Sequence, residues 1–297
     1  MKRIIFILLA FAFLHSAFSQ TKMIINKTGG TADSLLLSEI KSITFGTVSG
    51  REITSIQLTG SQATAKDASG NALWTYTAPS TILCYELSDV DKDGKTEVLL
   101  GTSLESKGLV ICVENDGTKA WDFQTGATGV YWPDDSFNCC DIDVADVDND
   151  GSNEIVSLSQ ESPWYPQRLC VLSVTGSLEG DYWHPGYGQC DEDNLIVGDL
   201  NGDGVYEIIV GSHNNDLGGI EVIYLLEGNN VHGQAPPYYG TGAAHGTEMW
   251  YKQGISNPVQ KIEVVSDRNS DGWKDLKVTL TNSTVIYVNG KTGGTIS

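Results

Sequence analysis

One acidic pattern occurs at four places in this 297-residue chain, and it could bind a divalent cation. The segments read DVDKDGKTE, DVDNDGSNE, DLNGDGVYE and DRNSDGWKD, and each has the form D-x-[DN]-x-D-G-x-x-[ED]. Hard cations such as calcium prefer six to eight oxygen ligands, and alternate acidic positions in a tight loop can direct several carboxylates towards one point. The glycine at the sixth position permits the sharp turn that this requires.

We therefore predict calcium ligands at the first, third, fifth and ninth positions of each segment, with about two to four ions in total. In the first segment the main-chain carbonyl of Lys95 is expected to contribute as well. The fourth segment is the weakest candidate, because Arg268 and Lys274 add positive charge. The predicted side-chain ligands are Asp89, Asp91, Asp93 and Glu97; Asp146, Asp148, Asp150 and Glu154; Asp199, Asn201, Asp203 and Glu207; and Asp267, Asn269, Asp271 and Asp275.

Two other interpretations of these segments compete with a calcium site. An EF-hand requires a glutamate at the twelfth position and a following helix. Here the twelfth residues are Leu100, Ser157, Val210 and Val278, and the flanking residues favour strands, so the EF-hand is excluded. A solvated acidic turn without metal would explain one such segment. Four segments with the same spacing argue for bound cations, because unpaired carboxylates a few ångströms apart repel each other.

The acidic segments belong to an internal repeat of roughly 50 to 70 residues. Between them the chain carries Gly-x-x-x-Trp motifs that end at Trp74, Trp121 and Trp250, and a less regular counterpart ends at Trp183. Each repeat predicts four short strands: one leads into the acidic segment, one leaves it, a third follows, and the fourth carries the tryptophan. The expected fold is all-β, a β-propeller of four-stranded antiparallel blades. About five blades are expected, or a fragment of a larger propeller.

The amino-terminal residues differ from the repeats. Residues 1–19 combine a basic start, a short apolar run and small residues, which is typical of a secretory signal peptide. Residues 20–50 are predicted to form a small leader segment, and residues 51–297 the propeller. The protein is therefore expected to be secreted, periplasmic or associated with the cell surface. No other segment is apolar enough to predict membrane insertion.

Six cysteines could form disulfides in an exported chain, and their pairing is left open. Their spacing does not match a metal-binding motif such as C-x-x-C. Cys112 and Cys170 occupy similar strands and could equally be small core residues.

The chain has 38 acidic and 18 basic residues and a formal charge of −20, which argues against nucleic acid as a partner. A protein or glycan ligand is more consistent with exposed aromatic residues, which are common in binding hot spots. The strand order predicts several aromatic residues in loops on the face opposite the acidic segments, although they could also be buried between blades. These candidate ligand-binding residues are Tyr131, Trp132, Trp164, Tyr165, Trp183 and Tyr187. No motif for a catalytic nucleophile or a catalytic metal is found, so no catalytic residue is predicted.

Segments such as VGDLNGDGVYEIIVGS resemble FG-GAP/VCBS-type repeats, the calcium-bearing blades of integrin-α-like β-propellers. This resemblance covers most of residues 53–297 and implies that the acidic residues hold calcium in a module that binds or adheres to proteins or glycans. The Gly-x-x-x-Trp strands also resemble quinoprotein-type repeats, in which the tryptophan docks one blade on the next. Two enzymatic alternatives share such blades: a polysaccharide lyase of the rhamnogalacturonan-lyase type and a quinone-dependent dehydrogenase.

Overall fold

The chain folds into two compact units, residues 1–50 and 51–297, each of which is described by itself. The computed structural model describes residues 22–26, 32–36, 52–105, 108–126, 137–160, 167–184, 194–212, 221–234 and 246–296. In the first unit, β1 (Lys22–Asn26) pairs with β2 (Ala32–Leu36) in an antiparallel arrangement. No helix in the described residues is long and apolar enough to cross a membrane.

The second unit consists of five antiparallel sheets in chain order, as expected for propeller blades. A three-stranded sheet, called here the partial blade, precedes four larger sheets, called blades 1 to 4. The partial blade contains β3 (Ser55–Thr59), β4 (Gln62–Lys66) and β5 (Ala72–Thr77). Blade 1 contains β6 (Ile82–Ser88), β7 (Glu97–Thr102), β8 (Leu109–Val113) and β9 (Lys119–Gln124), and blade 2 contains β10 (Asn138–Ala145), β11 (Glu154–Gln160), β12 (Gln167–Ser173) and β13 (Leu178–His184). Blade 3 contains β14 (Leu195–Gly198), β15 (Glu207–Ser212), β16 (Glu221–Glu227) and β18 (Trp250–Ile255), and blade 4 contains β19 (Val259–Val265), β20 (Asp275–Leu280), β21 (Val285–Val288) and β22 (Thr295–Ile296). The remaining strand, β17 (His232–Gln234), leaves blade 3 and pairs in parallel with β13 of blade 2.

Four hydrophobic cores lie between consecutive sheets. One joins the partial blade to blade 1, and the others join blade 1 to 2, blade 2 to 3 and blade 3 to 4. The second strands are therefore covered on both faces: every residue of β7 is buried, and its sequence EVLLGT does not alternate. The outer strand β9 alternates, because its sheet edge meets solvent.

The two end sheets carry mainly polar side chains on the faces that point away from these cores. In the partial blade, Ser55, Gln57 and Thr59 are exposed, while Ile56 and Leu58 pack towards blade 1. In blade 4, Lys277 pairs with Glu263 at 2.6 Å on the outward face. Polar outer faces are a general feature of terminal units in repeat proteins. Among the residues described here, no fifth core joins blade 4 to the partial blade.

In three of the sheets, a tryptophan packs against the next sheet along the chain. Trp74, Trp121 and Trp250 lie on the last strands of the partial blade, blade 1 and blade 3. Each indole Nε1–H donates to a main-chain carbonyl of the next blade, at 2.9, 2.8 and 2.7 Å. Each ring also covers a glycine with positive φ in the turn before the next blade's last strand, where a Cβ would collide with the ring: Gly117, Gly176 and Gly293. This confirms the docking role that the quinoprotein resemblance implied.

The joint between blades 2 and 3 is built differently, and the expectation for Trp183 was wrong. The register of β12 and β13 pairs Val171 with Gly180, as β8 and β9 pair Cys112 with Trp121. Gly180 thus occupies the tryptophan position, and a Cβ there would lie 2.9 Å from Val231 of blade 3. Because Gly180 has no side chain, Val231 can approach β13 closely and β17 can add to its edge.

Candidate metal sites in the acidic loops

Each acidic segment joins the first two strands of its blade, as the repeat predicted. We call residues 89–96, 146–153, 199–206 and 267–274 loops 1 to 4. The fourth and sixth positions adopt positive φ in every loop, and the sixth is always glycine. The ninth residue begins the second strand and is buried in all four blades: Glu97, Glu154, Glu207 and Asp275.

All four loops share the same hydrogen bonds. The Oδ2 atom of the first aspartate accepts from the glycine N–H at the sixth position, at 3.0, 3.0, 3.2 and 2.9 Å in loops 1 to 4. One oxygen of the buried ninth residue accepts from the N–H at the second position, at 2.9, 2.8, 2.6 and 2.7 Å. The loop backbone is thus tied to its own carboxylates before any cation is considered.

Loops 1 and 2 bring three carboxylates together. Carboxylate oxygens of Asp89, Asp91 and Glu97 lie within 4.8 Å of one another, and loop 2 forms the same group from Asp146, Asp148 and Glu154. In both loops the Oδ1 atom of the first aspartate is buried and has no hydrogen-bond partner. A buried carboxylate oxygen without a donor is unfavourable. A hard cation would satisfy it, so the residues present fit calcium.

The buried glutamates also indicate an excess of negative charge. The pKa of Glu97 and of Glu154 is raised to about 7: burial is the main cause, a main-chain N–H group opposes it, and the neighbouring aspartates add to the rise. Burial raises the pKa of Glu207 in loop 3 to about 7 as well. A divalent cation would favour the ionised carboxylates in these places.

The fifth-position aspartates of loops 1 and 2 have hydrogen bonds of their own. The Oδ1 atoms of Asp93 and Asp150 accept main-chain N–H groups at the seventh position, at 2.9 and 2.7 Å. The other oxygen of Asp93 contacts the ammonium group of Lys95. Neither aspartate belongs to the three-carboxylate group of its loop.

In loops 3 and 4 an asparagine amide takes the place of one carboxylate. The Asn201 amide nitrogen donates to Asp203 and to Glu207, both at 3.0 Å. In loop 4 the Asn269 amide donates to Asp271 at 3.1 Å, and Asn289 of blade 4 donates to the same oxygen at 2.5 Å. These loops satisfy their carboxylates internally, which loops 1 and 2 do not.

The pKa directions in loop 4 agree with this difference. The Gly272 N–H and other main-chain donors lower the pKa of Asp267, and the Asn289 amide lowers the pKa of Asp271. Arg268 and Lys274, the basic residues that made loop 4 the weakest candidate, direct their charged groups to other partners. The Arg268 guanidinium lies 3.7 Å from the centroid of the Tyr287 ring, and Lys274 donates to the Asp199 carbonyl of loop 3 at 2.8 Å.

The four loops are joined into one row by contacts between neighbouring blades. Asn153 of loop 2 donates to the Val90 carbonyl of loop 1 at 3.2 Å, and Lys92 of loop 1 donates to the Gly151 carbonyl at 2.8 Å. The eighth residue of loops 3 and 4 donates its N–H to the second-position carbonyl of the preceding loop, at 3.0 and 2.8 Å. Sequence reasoning missed these links, because the eighth position carries a different residue in each loop. The only signal in the sequence is that the eighth position recurs in every loop.

Loop 2 borders a cavity of about 140 Å³ that lies beside Gly180 at the joint between blades 2 and 3. Asp148, Glu154, Glu179 and His232 contribute to its lining. Burial and the nearby Asp148 and Asp150 raise the pKa of Glu179. The absence of a side chain at Gly180 therefore leaves an acidic opening next to the second carboxylate group.

The predicted aromatic ligand residues are only partly covered by the structure. Trp183 is buried, with its ring 5.1 Å beneath the Arg168 guanidinium and edge-on to Phe137. Tyr131, Trp132, Trp164, Tyr165 and Tyr187 lie outside the described residues. On the face opposite the acidic loops, the described residues expose Leu83 and Leu104, and Tyr85 is exposed nearby on β6.

A family model for the FG-GAP-like repeat matches residues 89–157, which run from the start of loop 1 into β11. Residues 89–157 are an FG-GAP-like repeat. This confirms the resemblance inferred from the acidic segments. It also places both three-carboxylate groups within the matched repeat.

Two curated relatives share sequence with the chain. It is 28% identical over 137 residues to KICSTOR complex protein ITFG2 of Bos taurus and 27% identical over 136 residues to the Mus musculus protein of that name. Each match covers 42% of this chain, but only 23% of the bovine and 27% of the mouse protein. The chain therefore corresponds to about a quarter of these relatives.

One solved structure supports the fold, and a second is reported with it. The quinohemoprotein alcohol dehydrogenase ADHIIG of Pseudomonas putida HK5 aligns with a TM-score of 0.51 and 13% identity, over 82% of this chain and 40% of that chain. BBS1N, solved in complex with ARL6DN, aligns with a TM-score of 0.49 and 12% identity, over 91% of this chain and 73% of that chain. The chain carries the FG-GAP-like repeat on a β-propeller architecture.

Proposed function

We propose that this protein is an exported, calcium-stabilised β-propeller that binds a protein partner. The observation that carries the calcium part is the buried, unpartnered oxygen of Asp89 and of Asp146, each within a group of three carboxylates. Asp89, Asp91 and Glu97 would hold one ion, and Asp146, Asp148 and Glu154 a second. Bound calcium would neutralise the loops and brace the first two strands of each blade.

The FG-GAP-like repeat and the relatives support protein binding as the role of the scaffold. By their name, these relatives belong to a protein complex. We place the contact surface on the face opposite the acidic loops, where Leu83 and Leu104 are exposed. Exposed apolar residues on a rigid scaffold are common anchors for partners.

Matched variants of the calcium-loaded protein would test this surface. Leu83→Asp and Leu104→Asp introduce charge on the proposed face, whereas Leu178→Asp introduces it at an exposed position at the acidic-loop end of β13. Partners captured from the extracellular fraction of the source cells, identified by mass spectrometry and purified, should lose at least tenfold in affinity for the first two variants only. Equal binding by all three variants would refute the assignment of the surface.

Export rests on residues 1–19 and has a separate test. The mature protein, purified from the culture medium or cell envelope, should begin at or near Gln20 when its amino terminus is sequenced. A cytoplasmic protein that retains Met1 would contradict export without affecting the calcium or surface proposals.

A further inference from the structure

Cys84 and Cys139 face each other across the joint between blades 1 and 2. Cys84 lies on β6 of blade 1 and Cys139 on β10 of blade 2, and both are buried. The Cys84 sulfur lies 3.5 Å from the Cys139 carbonyl oxygen. Both sulfurs occupy the space beside Gly101, where a Cβ would collide with each of them. The glycine thus makes room for a pair of sulfur atoms.

The equivalent positions in later blades already link one blade to the next. Cys84 pairs with Gly101, Asp141 of blade 2 pairs with Leu158, and Asn194 of blade 3 lies opposite Gly211. Asp141 accepts from the Leu195 N–H at 3.3 Å, and the Asn194 amide donates to the Val259 carbonyl at 3.2 Å. Every joint between complete blades therefore has a side-chain link at this place.

We propose that Cys84 and Cys139 form a disulfide that joins blade 1 to blade 2 when the chain folds under oxidising conditions. A small-molecule disulfide such as oxidised glutathione supplies the oxidant. One protein thiolate attacks it, forms a mixed disulfide and releases one glutathione thiolate. The other protein thiolate then attacks the protein sulfur of the mixed disulfide and releases the second. The two cysteines lose two electrons and two protons, and glutathione disulfide gains the electrons.

Oxidation is expected during folding rather than in the finished protein. Both side chains are buried, and the neighbouring Cys84 thiol together with burial raises the pKa of the Cys139 thiol well above its usual value. The attacking species in disulfide formation is a thiolate. Because the raised pKa keeps the thiol protonated, the buried cysteines react slowly once the two blades have packed together. Cys112 and Cys170 lie in the same core, and burial raises the pKa of each to about 12, but neither has a thiol partner of this kind among the residues described.

Oxidative refolding tests the proposal and does not depend on the proposed binding role. The full-length protein is refolded from denaturant with reduced and oxidised glutathione, and a parallel sample is refolded with a thiol reductant. A Cys140→Ala background removes the adjacent thiol, which belongs to the core on the other side of blade 2. Peptide mapping should show a Cys84–Cys139 link in the oxidised sample only. Its unfolding midpoint should be at least about 5 °C higher than that of the reduced sample.

Two variants taken from the protein's own repeats serve as controls. Cys84→Asn copies Asn194, and Cys139→Val copies Val259, so both changes should be compatible with folding. Each should abolish the link and the difference in midpoint, whereas Cys112→Ala should preserve both. The proposal is overturned if Cys84 and Cys139 remain free thiols after oxidative refolding, or if either pairs with another cysteine instead.

Discussion

Loops 1 and 2 differ from loops 3 and 4 although their backbones and shared hydrogen bonds are nearly the same. The first pair has an aspartate at the third position, and an oxygen of the first aspartate stays buried without a donor. The second pair has Asn201 or Asn269 there, whose amides donate to Asp203 and Asp271, and the Oδ1 atom of the first aspartate accepts the main-chain N–H of Gly202 or Ser270. Two differences therefore separate the loop pairs: the third-position amide, and the main-chain donors that reach the first aspartate in loops 3 and 4 only. Four matching sequence motifs need not be four equal metal sites.

Removal of calcium should have the largest effect of the changes predicted here, and the effect should be on the stability of the fold. At a free concentration one hundred times its dissociation constant, each bound ion stabilises the folded state by about 2.7 kcal/mol. Two occupied loops should therefore raise the unfolding midpoint by roughly 10 °C relative to a chelated sample, as measured by scanning calorimetry. Elemental analysis should find about two ions per chain. An unchanged midpoint with no bound calcium would rule out the metal sites.

Asp91→Asn should convert loop 1 into a loop of the second kind. The amide removes one negative charge and presents a donor to the carboxylates, as Asn201 does. Titration calorimetry should show the stoichiometry fall from two ions to one, or a loss of at least about tenfold in affinity at one site. Asp148→Asn is the matched change in loop 2, and the double variant should lose both ions. Retention of two tight sites in the double variant would contradict the comparison.

Asn201→Asp makes the reverse change in loop 3. Without calcium it removes the amide bonds to Asp203 and Glu207 and adds a like charge, which should cost about 1 kcal/mol of unfolding free energy. With calcium the loop should bind an ion, and the loss should shrink or disappear. Urea unfolding with calcium and with chelator measures both effects. A calcium-independent loss would mean that loop 3 cannot be turned into a site by this change.

Lys92→Met should have the smallest effect. Its ammonium lies 3.7 Å from Asp146 of loop 2 and is largely exposed, so its contribution to stability is below about 1 kcal/mol. Removing the charge should strengthen calcium binding at loop 2 by about two- to threefold at low salt. Lys274→Met removes the corresponding contact to loop 3 and should leave the affinity of both calcium sites unchanged. Equal effects of the two variants would show that the lysines do not distinguish the loop pairs.

Much of the architecture could be predicted because it repeats. The acidic segments mark the connection between the first two strands of each blade, and the Gly-x-x-x-Trp motifs mark the last strand. Because the two motifs alternate along the chain, they predicted a series of blades. The joint between blades 2 and 3 escaped prediction. The motif GSLEGDYW suggested Trp183, whereas the strand register places Gly180 at the docking position. Gly180 stands four residues after Gly176, as Trp121 stands four residues after Gly117, but a glycine carries no sign of the docking role, so only the strand register identifies it.

The sequence by itself determined the repeat, the turn geometry of the acidic loops and the residue types able to bind calcium, because these depend on local spacing and on glycines with positive φ. The tertiary structure decided which loops leave a carboxylate oxygen unsatisfied. That outcome depends on where the donors lie in three dimensions: the Gly202 and Ser270 N–H groups reach the first aspartate of loops 3 and 4, and Asn289, which follows β21, reaches Asp271. It also decided that Cys84 meets Cys139, because sulfur atoms on different blades become neighbours only when the blades pack and Gly101 leaves space between them.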